Sequence, residues 1–125
     1  VKLPEAPAVL TVDPVLIRHA LFNLLVNAAQ ATPDGEDGIE ISLERGEDRE
    51  RNLPGWTLAV TDHGRGMPTE VMEKIFVPFY TTRSDGTGLG LPVVQHVALL
   101  HDGQVTVSSE PGHGTRFAIW LPDPV

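Results

Sequence analysis

The residues of this chain best suited to chemistry fall into three groups: Asn23 with Asn27, then Asp62-His63-Gly64-Arg65-Gly66, then Asp85-Gly86-Thr87-Gly88-Leu89-Gly90-Leu91. The last group opens an apolar, helix-like stretch. Glycines ahead of a helix leave backbone N–H groups bare, and a bound phosphate satisfies them because no Cβ keeps it away. Amide oxygens suit a metal–phosphate cluster, since Mg2+ takes oxygen ligands, keeps several waters and draws its counter-charge from substrate phosphates. Asp62 contributes a carboxylate beside glycines that let the chain turn tightly, leaving room for a flat ligand whose exocyclic amine donates to it. Taken in this order, the groups point to a nucleoside triphosphate with Mg2+. Each alone has a plainer explanation: a solvent-facing stripe on a core helix, an Asp-Gly turn, or a glycine-rich helix start.

These residues need elements to hold them. Ala8 to Val12 reads as a short strand, after which Asp13 caps a helix with Pro14 at its first position. That helix runs to about Thr32 and stops at Pro33-Asp34-Gly35. Ile17, Leu21, Leu24, Leu25 and Ala28 form its apolar face, which Val15, Phe22, Val26 and Ala29 widen until little of the helix is left for water. Asn23 and Asn27, one turn apart, share a stripe with His19 and Gln30.

Ile39, Ile41 and Leu43 alternate with polar residues as in a half-buried strand, and Arg45 to Gly55 reads as a solvated hairpin connection. In the next strand, Trp56 to Thr61, the face bearing Trp56, Leu58 and Val60 continues to Asp62, where an unpaired buried carboxylate is costly. A short helix from about Thr69 to Ile75, a glycine-containing stretch to Gly88 and a helix from Leu89 to about Leu100 follow, with Pro92 tolerated in the first turn. Strands Gln104 to Ser109 and Thr115 to Leu121 close the chain. Strands bunched around helices without strict alternation favour an α+β two-layer sandwich over a doubly wound sheet. A dinucleotide fold sets its glycine turn directly after a strand, and Pro78 to Ser84 does not read as one.

Composition narrows the function. The 125 residues, 41% of them hydrophobic, make one globular domain over 1–125. With 17 acidic against 9 basic side chains the net charge is -8, which disfavours nucleic acid and anionic membrane surfaces as partners. Cysteine is absent, so there is neither a disulfide framework nor a thiolate metal site. Apolar runs are too short to span a bilayer and no signal peptide starts the chain, so the expected location is cytoplasmic, within a parent that a membrane could anchor.

The ordered set Asn23-Leu24-Leu25-Val26-Asn27-Ala28, Asp62-x-Gly64-x-Gly66, Ile75-Phe76-x-Pro78-Phe79-Tyr80-Thr81-Thr82-Arg83, Gly86-Thr87-Gly88-Leu89-Gly90-Leu91 and Gly112-x-Gly114-Thr115 resembles the sequence boxes of the catalytic, ATP-binding domain of sensor histidine kinases. That family belongs to a superfamily with type II topoisomerase, heat-shock chaperone and mismatch-repair ATPases. The resemblance implies a Bergerat-type α/β sandwich: a mixed sheet of about five strands covered on one face by about three helices. It also implies roles. Asp62 binds the adenine amine with help from Thr115, and Asn27 coordinates Mg2+ while Asn23 sits beside the phosphates. Those two amides are the candidate catalytic residues. Gly64 and Gly66 shape the adenine side, and Phe76 and Phe79 anchor a lid. Arg83 stands where a lysine is common, and the amides of Gly86, Thr87, Gly88, Leu89 and Gly90 hold the triphosphate. The short segment between Phe79 and Gly86 is similar to the compact lids of nitrogen-regulation type kinases and is expected to be mobile without nucleotide. His63, Met67 and Pro92 depart mildly from the pattern.

Hydrolysing relatives place a glutamate one turn before the metal asparagine; here that position is Asn23, which takes no proton at neutral pH. The resemblance therefore implies transfer of the γ-phosphoryl group to a histidine. None of His19, His63, His96, His101 or His113 lies in the His-Glu/Asp-x-x-x-Pro setting of the family, so the acceptor is expected on a separate helical dimerisation domain, with a response regulator receiver domain downstream and this domain monomeric by itself. A serine kinase acting on an anti-sigma antagonist, a slow ATPase, and a non-catalytic nucleotide-binding regulatory module are the other readings.

Overall fold

The first helix starts where its cap dictates. In a computed structural model describing residues 12–32, 38–48, 50–77 and 90–124, α1 spans Pro14–Ala31, and Asp13 Oδ1 accepts from Val15 N at 2.9 Å and Leu16 N at 3.3 Å. These bonds satisfy donors that the first turn leaves orphaned, and Pro14 has no N–H to satisfy. At the other end both the N–H and the hydroxyl of Thr32 donate to Ala28 O, at 3.1 and 2.8 Å. The expected stop at Pro33-Asp34-Gly35 lies outside the described residues.

β1 (Glu40–Asp48) and β2 (Leu53–Asp62) form a hairpin. The short α2 (Thr69–Met72) and then α3 (Gly90–Leu100) follow, and β3 (Gln104–Ser109) and β4 (Thr115–Pro122) make a second hairpin. The sheet order is β1-β2-β4-β3, with every neighbouring pair antiparallel. The α+β sandwich expected from the sequence is therefore present, but its four described strands are antiparallel rather than mixed. β2 and β3 do run in the same direction. Because β4 lies between them, that parallel relation never becomes a hydrogen-bonded ladder. Of the expected strand Ala8 to Val12, only Val12 is described, and it is not in a strand.

α1 and α3 lie side by side over one sheet face, enclosing Leu24, Ala28, Val60, Val94, Phe117 and Ile119. A two-layer fold buries one stripe of each helix, so Val15, Phe22 and Val26 stay exposed, contrary to the expectation that little of α1 faces water. His101 ties the two helices together: Nε2 accepts from Asp13 N at 2.9 Å while Nδ1 lies 2.8 Å from Val97 O. Since Nε2 is the acceptor, Nδ1 carries the proton.

The expected solvated connection from Arg45 to Gly55 is a correction too. β1 continues to Asp48 and β2 starts at Leu53, so most of the stretch is sheet rather than connection; Glu44, Glu47 and Glu50 stay exposed, while Arg45 and Arg51 are held by partners. Arg45 makes two bonds to the Asp123 carboxylate, at 2.6 and 2.8 Å, and lies over Trp56. Arg51 donates from Nε to Asp48 at 2.6 Å and from Nη2 to Asp102 O at 3.0 Å, over Trp120. These partners hold both carboxyls below their usual range: the Arg51 side-chain bond dominates at Asp48 and the Arg45 bond at Asp123. A carboxyl whose pKa is lower in the folded chain contributes stability that is complete above its unfolded pKa and is lost as pH falls through the folded value. Melting temperature should therefore drop on acidification from about pH 4 downward, and the drop should be shallower in an Asp48→Asn/Asp123→Asn protein. Parallel melting curves against pH for the two proteins would exclude this contribution.

Candidate nucleotide site

Three inward-facing rows of the sheet end in polar residues at the same edge. On β2 the row is Leu58, Val60, Asp62; on β3 it is Val105, Val107, Ser109; on β4 it is Ile119, Phe117, Thr115. The register pairs Thr115 with Asp62 on one side and with Ser109 on the other, so alternation alone brings these side chains to one face. Asp62 is 2% exposed and Thr115 6%. Among the described residues no cation pairs with Asp62, whose Oδ1 accepts from Gly64 N at 2.9 Å. A carboxylate has acceptor capacity for several donors, so a group buried to this degree has room for another one.

The turn after Asp62 docks on the last turn of α1. Arg65 N donates to Ala31 O at 3.3 Å, and a Cβ on Gly64 would overlap that same carbonyl, so only glycine lets the two backbones come this close. On its other side the turn meets the β3–β4 connection: Gly66 lies against the backbone of Glu110, and Gly112 N donates to Arg65 O at 2.7 Å. Farther back along α1, the Asn23 amide sits beside the start of α3, its Oδ1 3.6 Å from where a Cβ on Gly90 would stand. Asn23, Asn27 and Ala31 follow one another at helical spacing. Half-buried Asn27 therefore lies on the stripe between the α3 start and the Asp62 turn.

The structure thus brings Asn23, Asn27, Asp62, Gly64, Gly66, Gly90 and Thr115 to one end of the sandwich. Phe76 packs edge-on against Phe117, ring centroids 6.3 Å apart, joining the segment after α2 to the core. Phe79, Arg83, Gly86, Thr87, Gly88 and Leu89, with the expected lid, lie outside the described residues. The sequence reading passed over Ser109. Its signal was the one that marked Asp62, a polar residue ending an inward apolar row, but strand alternation by itself gives a terminal serine no partner. Among the described residues no cluster of three or more His, Asp or Glu could cage a metal alone. A depression of about 250 Å³ lined by Glu44, Thr57, Gln104, Arg116 and Trp120 lies on the opposite sheet face, apart from these residues.

A buried carboxylate at a strand end, glycines that bring backbones together beside it, and an amide stripe leading to a helix start are thus assembled on a two-layer α+β sandwich. The chain belongs to the family described as histidine kinase-, DNA gyrase B- and HSP90-like ATPases, whose profile matches residues 12–125. It is 41% identical over 120 residues to the sensor histidine kinase ZraS of Escherichia coli O157:H7, covering 96% of this chain and 24% of that protein. To the sensory histidine kinase/phosphatase NtrB of Vibrio alginolyticus it is 35% identical over 125 residues, covering 95% of this chain and 35% of the relative. The solved mycobacterial sensor histidine kinase MprB superposes with a TM-score of 0.76 at 27% identity, over 99% of this chain and 82% of that one. The chain is thus a domain of this ATPase family, similar to the corresponding part of sensor histidine kinases, and it spans about a quarter of the length of ZraS. No helix among the described residues is long and apolar enough to cross a membrane.

Proposed function

We propose that this domain binds ATP with Mg2+ and delivers the γ-phosphoryl group to a histidine on a separate helical dimerisation domain of a cytoplasmically exposed kinase, from which a response regulator receiver domain takes it. The observation that carries the reading is buried Asp62, with acceptor capacity to spare, at the foot of a site whose opposite side is the start of α3. In this reading Asp62 accepts from the adenine amine beside Thr115. Asn23 lies alongside the phosphates, Asn27 supplies an oxygen to the metal, and the amides of the Gly86 to Gly90 segment hold the triphosphate. Asn27 fits Mg2+ because an amide oxygen is a hard, neutral ligand and the remaining charge comes from the nucleotide. Bound there, the metal neutralises phosphate charge, which phosphoryl transfer needs together with alignment more than covalent help. The transfer breaks the bond from the γ-phosphorus to the bridging oxygen of ADP and forms one to an imidazole nitrogen.

Incubation with γ-labelled ATP and a supplied helical histidine domain should give acid-labile label on that domain and none on serine partners. Label on serine selects the anti-sigma type reading, and tight Mg-ATP binding without transfer selects a regulatory module. For the metal ligand, Asn27→Asp sets a negative charge beside the phosphates. ATP affinity without Mg2+ should fall about tenfold through like-charge repulsion, and added Mg2+ should restore much of it. Overlaying metal titrations of the two proteins would show that Asn27 does not hold the metal.

A further inference from the structure

We infer that Ser109 sets the hydrogen-bond polarity of Thr115, and through it the preference of this site for a 6-amino over a 6-oxo purine; the inference rests on the nucleotide reading above. Ser109 Oγ stands at a junction of three segments. It accepts from Met67 N at 2.8 Å, lies 2.9 Å from Gly114 O, and lies 2.8 Å from Thr115 Oγ1. The amide of Met67 can only donate and the carbonyl of Gly114 can only accept, whereas each hydroxyl has one proton. All three contacts are hydrogen bonds at once in one arrangement: Ser109 donates to Gly114 O, and Thr115 donates to Ser109. If Ser109 gave its proton to Thr115 instead, the Gly114 carbonyl would lose this partner.

In the satisfied arrangement the Thr115 proton is spent on Ser109, and its oxygen turns only lone pairs toward the rest of its surroundings. Directly across the ladder stands Asp62, whose carboxylate also only accepts. Two buried acceptors side by side call for a ligand edge rich in N–H. The amine of a 6-amino purine supplies two N–H groups at the 6-position, whereas a 6-oxo purine sets a carbonyl lone pair there against both acceptors and carries its N–H on the neighbouring ring nitrogen instead. Ser109 touches no nucleotide in this account. It is a positioning residue, and its effect belongs in the discrimination between bases rather than in a uniform loss of affinity.

The test is calorimetric titration of the whole domain with Mg-ATP and with Mg-ITP for the wild type, Ser109→Ala and Ser109→Thr. Ser109→Ala releases the Thr115 hydroxyl to rotate and donate, so the ratio of ATP to ITP affinity should fall about fivefold to tenfold, the scale of one hydrogen bond. Ser109→Thr keeps the hydroxyl and should restore the ratio. Thr115→Val, which removes the acceptor while keeping the shape, should lower the ratio as well and serves if Ser109→Ala does not fold. ATP and ITP affinities that fall by the same factor, or do not change, in the folded variants overturn the role of Ser109. A wild type that binds ATP while Ser109→Ala keeps its ratio overturns this inference alone, and a wild type that binds neither nucleotide overturns the nucleotide reading along with it.

Discussion

Replacing Asp62 by asparagine is expected to weaken ATP binding by about 10- to 100-fold, the worth of a hydrogen bond to a charged acceptor, while the domain stays folded. The direction follows from how the carboxylate is already used. Oδ1 accepts from Gly64 N at 2.9 Å, so the one oxygen of an asparagine is claimed by that turn. Its NH2 group then faces the purine amine, donor against donor, where the carboxylate had offered a lone pair. Turning the amide over restores an acceptor to the ligand only by setting the NH2 against the Gly64 N–H, in a position 2% exposed where water cannot make up the difference. Calorimetry with ATP, backed by melting curves to confirm the fold, measures the effect. Wild-type affinity in the variant would remove adenine from Asp62.

A large loss of stability is expected from Gly114→Ala, and its near neighbour provides the control. Gly112 and Gly114 both have left-handed backbones, with φ of +81° and +84°. An alanine at either position bears the strain of that conformation, on the order of 1–2 kcal/mol. At Gly112 nothing stands within 4 Å of the added Cβ, so strain is the whole cost. At Gly114 the Cβ would overlap the carbonyl oxygen of Asp62 and crowd the backbone of His63, neither of which can swing aside as a side-chain tip does. Gly114→Ala should therefore cost about 3 kcal/mol or more, and Gly112→Ala roughly a third to a half of that. The same overlap displaces the strand end that presents Asp62, so ATP affinity should fall with stability in the first variant and persist in the second. Equal melting temperatures for the two proteins would show that the β4 start does not press on Asp62.

Much of this domain is legible in order along the chain because its signals are local. Asp13-Pro14 starts α1 with a side chain two and three residues from its partners, and the bounds of α3, β3 and β4 fall within a residue or so of those read from periodicity. Asp62 announced itself as a carboxylate ending an apolar row, and Gly64 and Gly66 as places where the chain turns tightly beside it. Other features rest on relations between segments. Whether the Arg45 to Gly55 stretch is loop or sheet turned on Trp56, Trp120 and Asp123, which hold Arg45 and Arg51 against the sheet. How much of α1 is wet turned on the number of layers, which the apolar residues of one helix do not count.

The strand pairing was likewise beyond local reading, since a chain with β2 and β3 running the same way is mixed or antiparallel according to where β4 inserts. Ser109 is the clearest case of all. In the chain it is one serine at the end of an alternating strand, and its partners Met67 and Thr115 stand 42 and 6 positions away. Residue types and their spacing were enough to specify the family and to name the groups proposed to meet the nucleotide. Proton direction within the Ser109, Gly114 and Thr115 cluster had to wait for three backbones to be folded against one another, because a hydroxyl takes its polarity from whatever surrounds it.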